Sequence, residues 1–364
     1  MRSVIFLLLL PFSAAAQLAP TLIATLPGEI SETSGWLRVN GDHWTHEDSG
    51  NEAVLFQIDP VNGNVIRTLQ VNAPNIDWED ISVDDQYVYI GDVGNNSGDR
   101  TDLRILRFPI AMLNDTSITQ VEVETINFSY EDQTVFEPAE NANDWDCEAI
   151  IARDDSIFVF TKNWLDQQTR VYAFPSTPGD HIAQLRASYD VQGMITGAAL
   201  DQAGDRLALI GYTNGLFVPF VVLAYGFEGN AFFSGIVQRD PLSLAFVQME
   251  AVEWDGPNSI HLTNEASPFS EPRFWELELP TVPINEFDEG SHTRLFPNPA
   301  RNTLHFRSES PADLVLIDTL GRTVFSGRFV DGDAIDITHL SAGNYIAEFN
   351  DNGRISRSIL VIER

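Results

Sequence analysis

Five oxygen-bearing side chains recur at one relative position along this chain: Ser34, Glu79, Glu148, Thr196 and Glu250. Each lies in a short run that opens a repeating segment, as in "NIDWEDISVDDQYVYIGDVGNN" (75–96) and "NDWDCEAIIARDDSIFVFTKNW" (143–164). Three carboxylates brought to one point repel strongly, and at least one must hold a proton or face a cation. A hard divalent cation removes the conflict, and carboxylate with hydroxyl oxygen is the donor set calcium prefers. The same five side chains also suit a hydrogen-bonded ring around water, so two readings stand. Further polar residues cluster at the ends of the same runs: Asp48, Asp77, Asp80, Asp92, Asn95, Arg100, Asp146, Lys162, Asn163, Asn264 and Glu265. Among them Asp48 and Asp92 are candidate general bases, and Arg100 and Lys162 are candidates for holding a phosphate group. Asp80, next along its strand from Glu79, is expected to point outward.

The elements that position these residues repeat. Three more segments share the pattern of the first two: "ETSGWLRVNGDHWTHEDSGNEAVLFQID" (32–59), "MITGAALDQAGDRLALIGYTNG" (194–215) and "QMEAVEWDGPNSIHLTNEASPF" (248–269). Each reads as a strand, a turn of Asp, Asn or Gly, a second strand and a polar loop. A third strand follows in every case, for example "LRILRFP" and "TRVYAFP", and a fourth in four of the five. Apolar residues alternate by two and are rich in Val, Ile, Phe, Tyr and Trp, which excludes helices. Four strands per unit at a spacing of roughly 45–70 residues predict the blades of a β-propeller. The first strand of a blade lines the central channel, so the five repeated residues converge on the axis. The fifth unit lacks its outer strand, and "PTLIATLPG" (20–28) has no unit of its own. Lending that strand to the last blade closes the ring and removes both loose edges. The count is therefore five blades, or six if residues 215–248 hold another.

The strand patterns in "GDHWTHEDSGNEAVLFQID" and "DWEDISVDDQYVYIGDVG", with Ser, Glu, Glu, Thr and Glu at the axis, resemble the calcium-activated nucleotidases, or apyrases. Those are five-bladed propellers with one such residue per blade around an axial calcium, and the resemblance covers about residues 32–280. It implies calcium held by Ser34, Glu79, Glu148, Thr196 and Glu250, and a calcium-dependent hydrolase acting on a small polar or phosphate-containing ligand. The family's paired Asp followed by Arg is here Glu47, Asp48 and Ser49, and its Gly-Lys-Glu-Trp-like loop is Gly94, Asn95 and Asn96. "DWEDI", "GDVGNN" and "DCEAI" also resemble the esterase-like phytase and SdiA-regulated propellers.

The chain has 364 residues, 53 of them acidic and 21 basic, for a net charge of −32. From Ser291 onward there are 8 Arg and 9 acidic residues, so the first 290 residues carry 44 acidic against 13 basic groups, a net of −31. That field excludes nucleic acid as a partner and favours cations. Lys162 is the sole lysine. "MRSVIFLLLLPFSAAAQ" reads as a signal peptide over 1–16, and no later stretch is apolar enough to span a bilayer. The expected organisation is a propeller over 17–280, a linker over 281–290 and a small β-sandwich over 291–364. "FPNPARNTL", "VLIDTLGRTV", "IDITHLSAGNYIAEF" and "RISRSILVIER" are similar to the type IX secretion C-terminal sorting domain of Bacteroidota. That resemblance implies contact with the type IX machinery and a protein released outside the cell or attached at the outer-membrane surface. A monomer without membrane insertion is expected.

Other motifs carry little. "GDVGNNSGDR" lacks Gly-Lys-Ser/Thr, "DPVNGN" reads as a hairpin turn, and no Gly-x-Ser-x-Gly is present. The seven His residues are scattered without zinc spacing. Cys147, the single cysteine, should face a blade interface as an inert thiol. The tryptophans read as packing between blades, with Trp78 and Trp145 able to stack on a ring ligand.

Overall fold

The computed structural model describes residues 17–279 and 294–362, except 299, 309, 319–321 and 352–353. The expected signal peptide and linker lie outside the described residues. The chain divides into two compact units, parted between Leu279 and Pro280.

The first unit is a ring of five antiparallel blades. Their first strands are Thr33–Val39, Trp78–Val83, Cys147–Arg153, Met194–Leu200 and Met249–Gly256. These five strands neighbour one another in order, and the last lies beside the first, so the ring is closed. Blades 1 to 4 take all four strands from consecutive sequence. Residues 215–248 supply the outer strands Pro219–Tyr225 and Ile236–Pro241 of blade 4, and no sixth blade. Blade 5 takes Ser259–Asn264 and Arg273–Glu278 and is completed by the N-terminal strand Thr21–Thr25, which pairs antiparallel with Arg273–Glu278. The register runs from Thr21 opposite Glu276 to Thr25 opposite Arg273. Two other outer edges are covered as well. The fourth strands of blades 2 and 3 pair in parallel from Ile126–Gly179 to Tyr130–Ala183, and Gln120–Val121 lies against the edge of blade 1.

Alternation by two places successive side chains on opposite faces of a blade, and here both faces are buried against neighbours. In Ser156–Thr161, Ile157 and Val159 pack toward blade 2 with Tyr89 and Ile105, while Phe158 and Phe160 pack toward blade 4 with Leu207 and Leu209. A separate apolar cluster fills each of the five junctions between blades. Cys147 lies in the cluster between blades 2 and 3, fully buried, and burial pushes its thiol pKa up. Trp78 has no exposed surface and belongs to the core between blades 1 and 2, so it cannot stack on a ligand.

The second unit is a two-sheet β-sandwich. One sheet contains Arg294–Phe296, Thr303–Arg307 and Ala334–Asp336; the other contains Thr323–Phe329, Ala312–Asp318, Gly343–Asp351 and Arg354–Ile362. Its core includes Leu304, Phe306, Leu314, Leu316, Ala347 and Phe349. Among the described residues no helix is long and apolar enough to cross a membrane.

The closing strand generates a prediction. Deleting residues 17–27 strips the outer strand from blade 5 and leaves Arg273–Glu278 as an unpaired edge. The truncated protein should form oligomers or aggregates by light scattering; a soluble, monomeric product of unchanged melting temperature would show that the strand does not secure the ring.

Candidate metal centre at the channel mouth

Every first strand carries a register break near its start, and that of blade 5 carries a second between Trp254 and Gly256. The breaks fall between Ser34 and Trp36, Trp78 and Asp80, Cys147 and Ala149, Ile195 and Gly197, and Met249 and Ala251. Glu79, Glu148, Thr196 and Glu250 are thus the bulged residues themselves, and Ser34 flanks the fifth bulge. A bulge inserts one unpaired residue and re-aims its side chain. Gly35 occupies that fifth gap with φ +68°, where a Cβ would lie 2.7 Å from His46 Nε2 and 2.9 Å from the Ile81 nitrogen. All five predicted residues are buried at the axis, with Glu250 the most open at 8% exposure.

The five are not equivalent. The Ser34 hydroxyl donates to the Glu79 carbonyl at 2.5 Å, and the Thr196 hydroxyl donates to the Met249 carbonyl at 2.6 Å. Each bond ties one blade to the next and leaves only oxygen lone pairs for a further partner. Glu148 receives the Lys162 ammonium at 2.5 Å. Burial alone lowers the Lys162 pKa, but Glu148, then Tyr212 and Glu250, more than offset this and keep it charged. Glu79 sits instead with Asp48 and Asp77, each offering an oxygen within 4.8 Å of the other two.

Local contacts bring this trio together. The Asn75 amide donates to the carbonyls of Glu47 and Asp48, at 3.0 and 2.8 Å, and its oxygen accepts the Trp78 N–H at 3.1 Å. That clamp holds the loop after the second strand of blade 1 against the start of blade 2. The Asp77 carbonyl accepts the amides of Val93 and Gly94. Gly94 has to be glycine here, because a Cβ would overlap Glu79 Oε1 and come within 2.5 Å of Asp77 Oδ2. Burial, followed by the neighbouring charge of Asp48, raises the Asp77 pKa to about 7. Burial raises Glu79 well above the carboxylate range, with Asp48 and Glu148 adding to it, and it raises Asp48 too.

The remaining predicted residues are committed elsewhere. Asp92 is fully buried and accepts Arg100 at 2.9 Å and Arg104 at 2.8 Å, so neither oxygen is open to act as a base. Arg100 also donates to the Gly94 carbonyl at 2.7 Å and to Asp102 at 3.1 Å. Asp80 corrects the expectation of an outward side chain. It is 2% exposed, and its Oδ2 accepts the amides of Ile150 at 2.8 Å and Ala198 at 3.4 Å, from the first strands of blades 3 and 4. The bulge at Glu79 breaks the alternation that would have turned Asp80 outward. Asp146 accepts the Asn95 amide and the Trp164 indole N–H.

Two features escaped the sequence reading. Glu47 is buried with Oε1 unpartnered, and burial raises its pKa to about 7. Its neighbours in "THEDSG" are the only hint. Between blades 1 and 5, His43, Asp255 and His261 bring ligand atoms within 4.8 Å of one another. Trp36 Nε1 donates to His43 Nδ1 at 3.1 Å, and an indole nitrogen can only donate. The His43 proton therefore sits on Nε2, which leaves that nitrogen without a lone pair for a metal. Arg38 pairs with Asp255 at 3.1 Å and His261 Nε2 lies 3.5 Å from the same carboxylate, while the buried His261 Nδ1 has no hydrogen-bond partner.

Residues 294–363 match the family model of the secretion system C-terminal sorting domain. The chain thus carries a type IX sorting signal, engages that machinery, and is exported through the periplasm to the cell surface or beyond. No curated protein matches the chain. Among solved structures, a putative exported protein from Bacteroides fragilis NCTC 9343 is 9% identical with a TM-score of 0.36, covering 72% of this chain and 95% of that one. Apo AztD from Citrobacter koseri is 13% identical with a TM-score of 0.30, over 91% of this chain and 86% of that one. The WD40 β-propeller domain of Doa1 is 9% identical with a TM-score of 0.31, over 94% and 87%. Likenesses this distant carry nothing about activity.

The buried carboxyls set a pH dependence. Glu47, Asp77 and Glu265 are raised to about 7 and Glu253 to about 8, in each case first by burial. The native state holds protons that the unfolded chain releases near pH ~4, so this stability is complete at low pH and is lost as pH rises through 7 to 8. His43 and His46 are lowered from 6.5 to about 4 by burial and act oppositely, but only below pH 6.5. In chelator, the melting temperature should therefore fall between pH 6.5 and 8; a flat or rising profile there would show that these carboxyls are solvated.

Proposed function

We propose that this exported propeller binds calcium at its channel mouth through Asp48, Asp77 and Glu79, and uses the loaded mouth to bind a ligand outside the cell. The convergence of three carboxylate oxygens within 4.8 Å, walled by a glycine backbone, is the observation that carries this reading. An all-oxygen, trianionic donor set with partial solvent access suits a hard cation of flexible geometry, which is calcium more than zinc. The lone pairs of the Ser34 and Thr196 hydroxyls and the carboxylates of Glu148 and Glu250 line the same channel, as the resemblance to calcium-activated nucleotidases implies.

The hydrolase reading draws less support from the geometry. Asp92 is held by two arginines, Arg100 by Asp92 and Gly94, Lys162 by Glu148, and Asp48 is assigned to the ion. A phosphate group would have to displace one of these internal partners. Ligand binding with a bound ion requires no such exchange.

Calcium that binds only the native state stabilises it by mass action, by about 2.7 kcal/mol at a hundredfold excess over Kd. For a propeller of this size that corresponds to a rise of roughly 5–10 °C in melting temperature. Chelator should remove the rise, calcium should restore it, and sodium at equal ionic strength should not. Glu79→Gln and Gly94→Ala should each weaken calcium binding in calorimetry by at least about tenfold, one by removing a charge and one by intruding on the carboxylates. Melting curves indifferent to chelator and calcium would refute the metal centre and leave a protonated, water-filled channel.

A further inference from the structure

Antiparallel blades place two sets of loops at the channel-mouth end: those joining second to third strands, and those joining one blade to the next. These loops carry most of the propeller's large exposed apolar side chains, including Leu165 at 64%, Leu216 at 61%, Phe246 at 48% and Phe269 at 78% exposure. Only Val61 is comparably exposed in the loops of the opposite end. Three of the four form one patch over blades 4 and 5. The rings of Phe246 and Phe269 lie 5.8 Å apart, and the Phe246 amide donates to the Leu216 carbonyl.

The patch is held in place rather than loose. Phe217 and Phe246 both have left-handed backbones, with φ +46° and +61°, a conformation that bulky residues adopt only when their surroundings impose it. Phe217 packs on Tyr212 at 5.4 Å, and Tyr212 in turn lies beside the Lys162 ammonium in the channel. Phe269 shares its loop with Glu265. The charge of that carboxylate adds to the burial that raises the Glu250 pKa, the Lys162 ammonium acts on both groups, and among the described residues no hydrogen bond is donated to either side chain.

We infer that this end of the propeller docks a basic, apolar peptide segment. A Lys or Arg side chain would enter between Glu250 and Glu265, and its apolar neighbours would lie on Leu216, Phe246 and Phe269. Charge complementarity selects this occupant: two carboxyls without a hydrogen-bond donor, rimmed by apolar surface, sit in a chain whose first 290 residues carry a net charge of −31, from 13 basic and 44 acidic groups. Aromatic anchors beside a desolvated charge are the usual makings of a binding hot spot. The inference does not rest on the calcium reading, because Glu250 and Glu265 lie outside the trio assigned to the ion.

The test uses the full chain and fluorescence anisotropy with labelled peptides. A short peptide alternating Lys and Leu should bind, while a Lys–Ser peptide and a Glu–Leu peptide should not. Phe269→Ser, at an exposed position, and Glu265→Gln, at a half-buried one, should each weaken binding about tenfold, the loss expected of one anchor. The preference for Lys–Leu over Lys–Ser should persist in both calcium and chelator, whereas calcium binding itself is read separately by calorimetry. Equal affinity for the Lys–Ser peptide would reduce the effect to net charge and overturn the inference. So would binding unchanged by Phe269→Ser, or a stronger association with phosphatidylcholine vesicles, which would make the face a membrane surface.

Discussion

Everything at the axis depends on one shared feature: five first strands meet around a narrow channel, and each is bulged where it bears its repeated polar residue or beside it. Each first strand has a bulge at the repeat position, five in all, and that of blade 5 breaks register once more between Trp254 and Gly256. An extra residue at the repeat position leaves an unpaired backbone unit and a side chain directed away from the regular pleat. Polar groups must satisfy that backbone because water reaches it poorly. Ser34 and Thr196 do so from neighbouring blades, and Asp80 satisfies amides of two further blades at once. The polarity of the axis is therefore structural before it is functional.

Concentrating carboxylates where burial is forced creates a second problem, and the protein divides it. Glu148 is neutralised by the only lysine in the chain. Asp92 is neutralised by two arginines, and Asp80 by backbone amides. Asp48, Asp77 and Glu79 have no such internal countercharge within hydrogen-bonding distance, and Arg100 approaches Asp77 only to 3.9 Å. What is left uncompensated after the internal pairings is the part of the axis nearest to solvent, where a cation from outside can arrive. The trio of His43, Asp255 and His261 shows the contrast, since Trp36 already engages His43 and Arg38 neutralises Asp255.

Export gives this arrangement a setting. The sorting unit delivers the propeller to the cell surface or beyond, where a surface of high negative charge favours solubility and attracts cations. The two ends of the ring are then unequal: one carries hairpins and the short helix Ala111–Asn114, the other the acidic mouth and the aromatic rim.

Much of this was legible in the residues. Alternation by two, the fivefold recurrence of a strand–turn–strand phrase, and the orphan strand at 20–28 together specify a closed propeller, because burying both faces of every strand admits few other arrangements. The C-terminal motifs likewise identify the sorting sandwich, whose successive strands pair largely with their sequence neighbours. The recurrence of Ser34, Glu79, Glu148, Thr196 and Glu250 marked the axis itself. Which carboxylates meet there was not legible. A bulge suspends the alternation from which facing is read, so Asp80 turned inward against expectation and Glu79 turned to Asp77 and Asp48 in place of its repeat partners. The pairing of Lys162 with Glu148, and the clamp of Asn75 on Glu47 and Asp48, join groups that meet only after strands are registered and loops are laid over the mouth. Local pattern determines the direction of a strand; the partners of a charge are decided by the register between strands and by the loops of other blades.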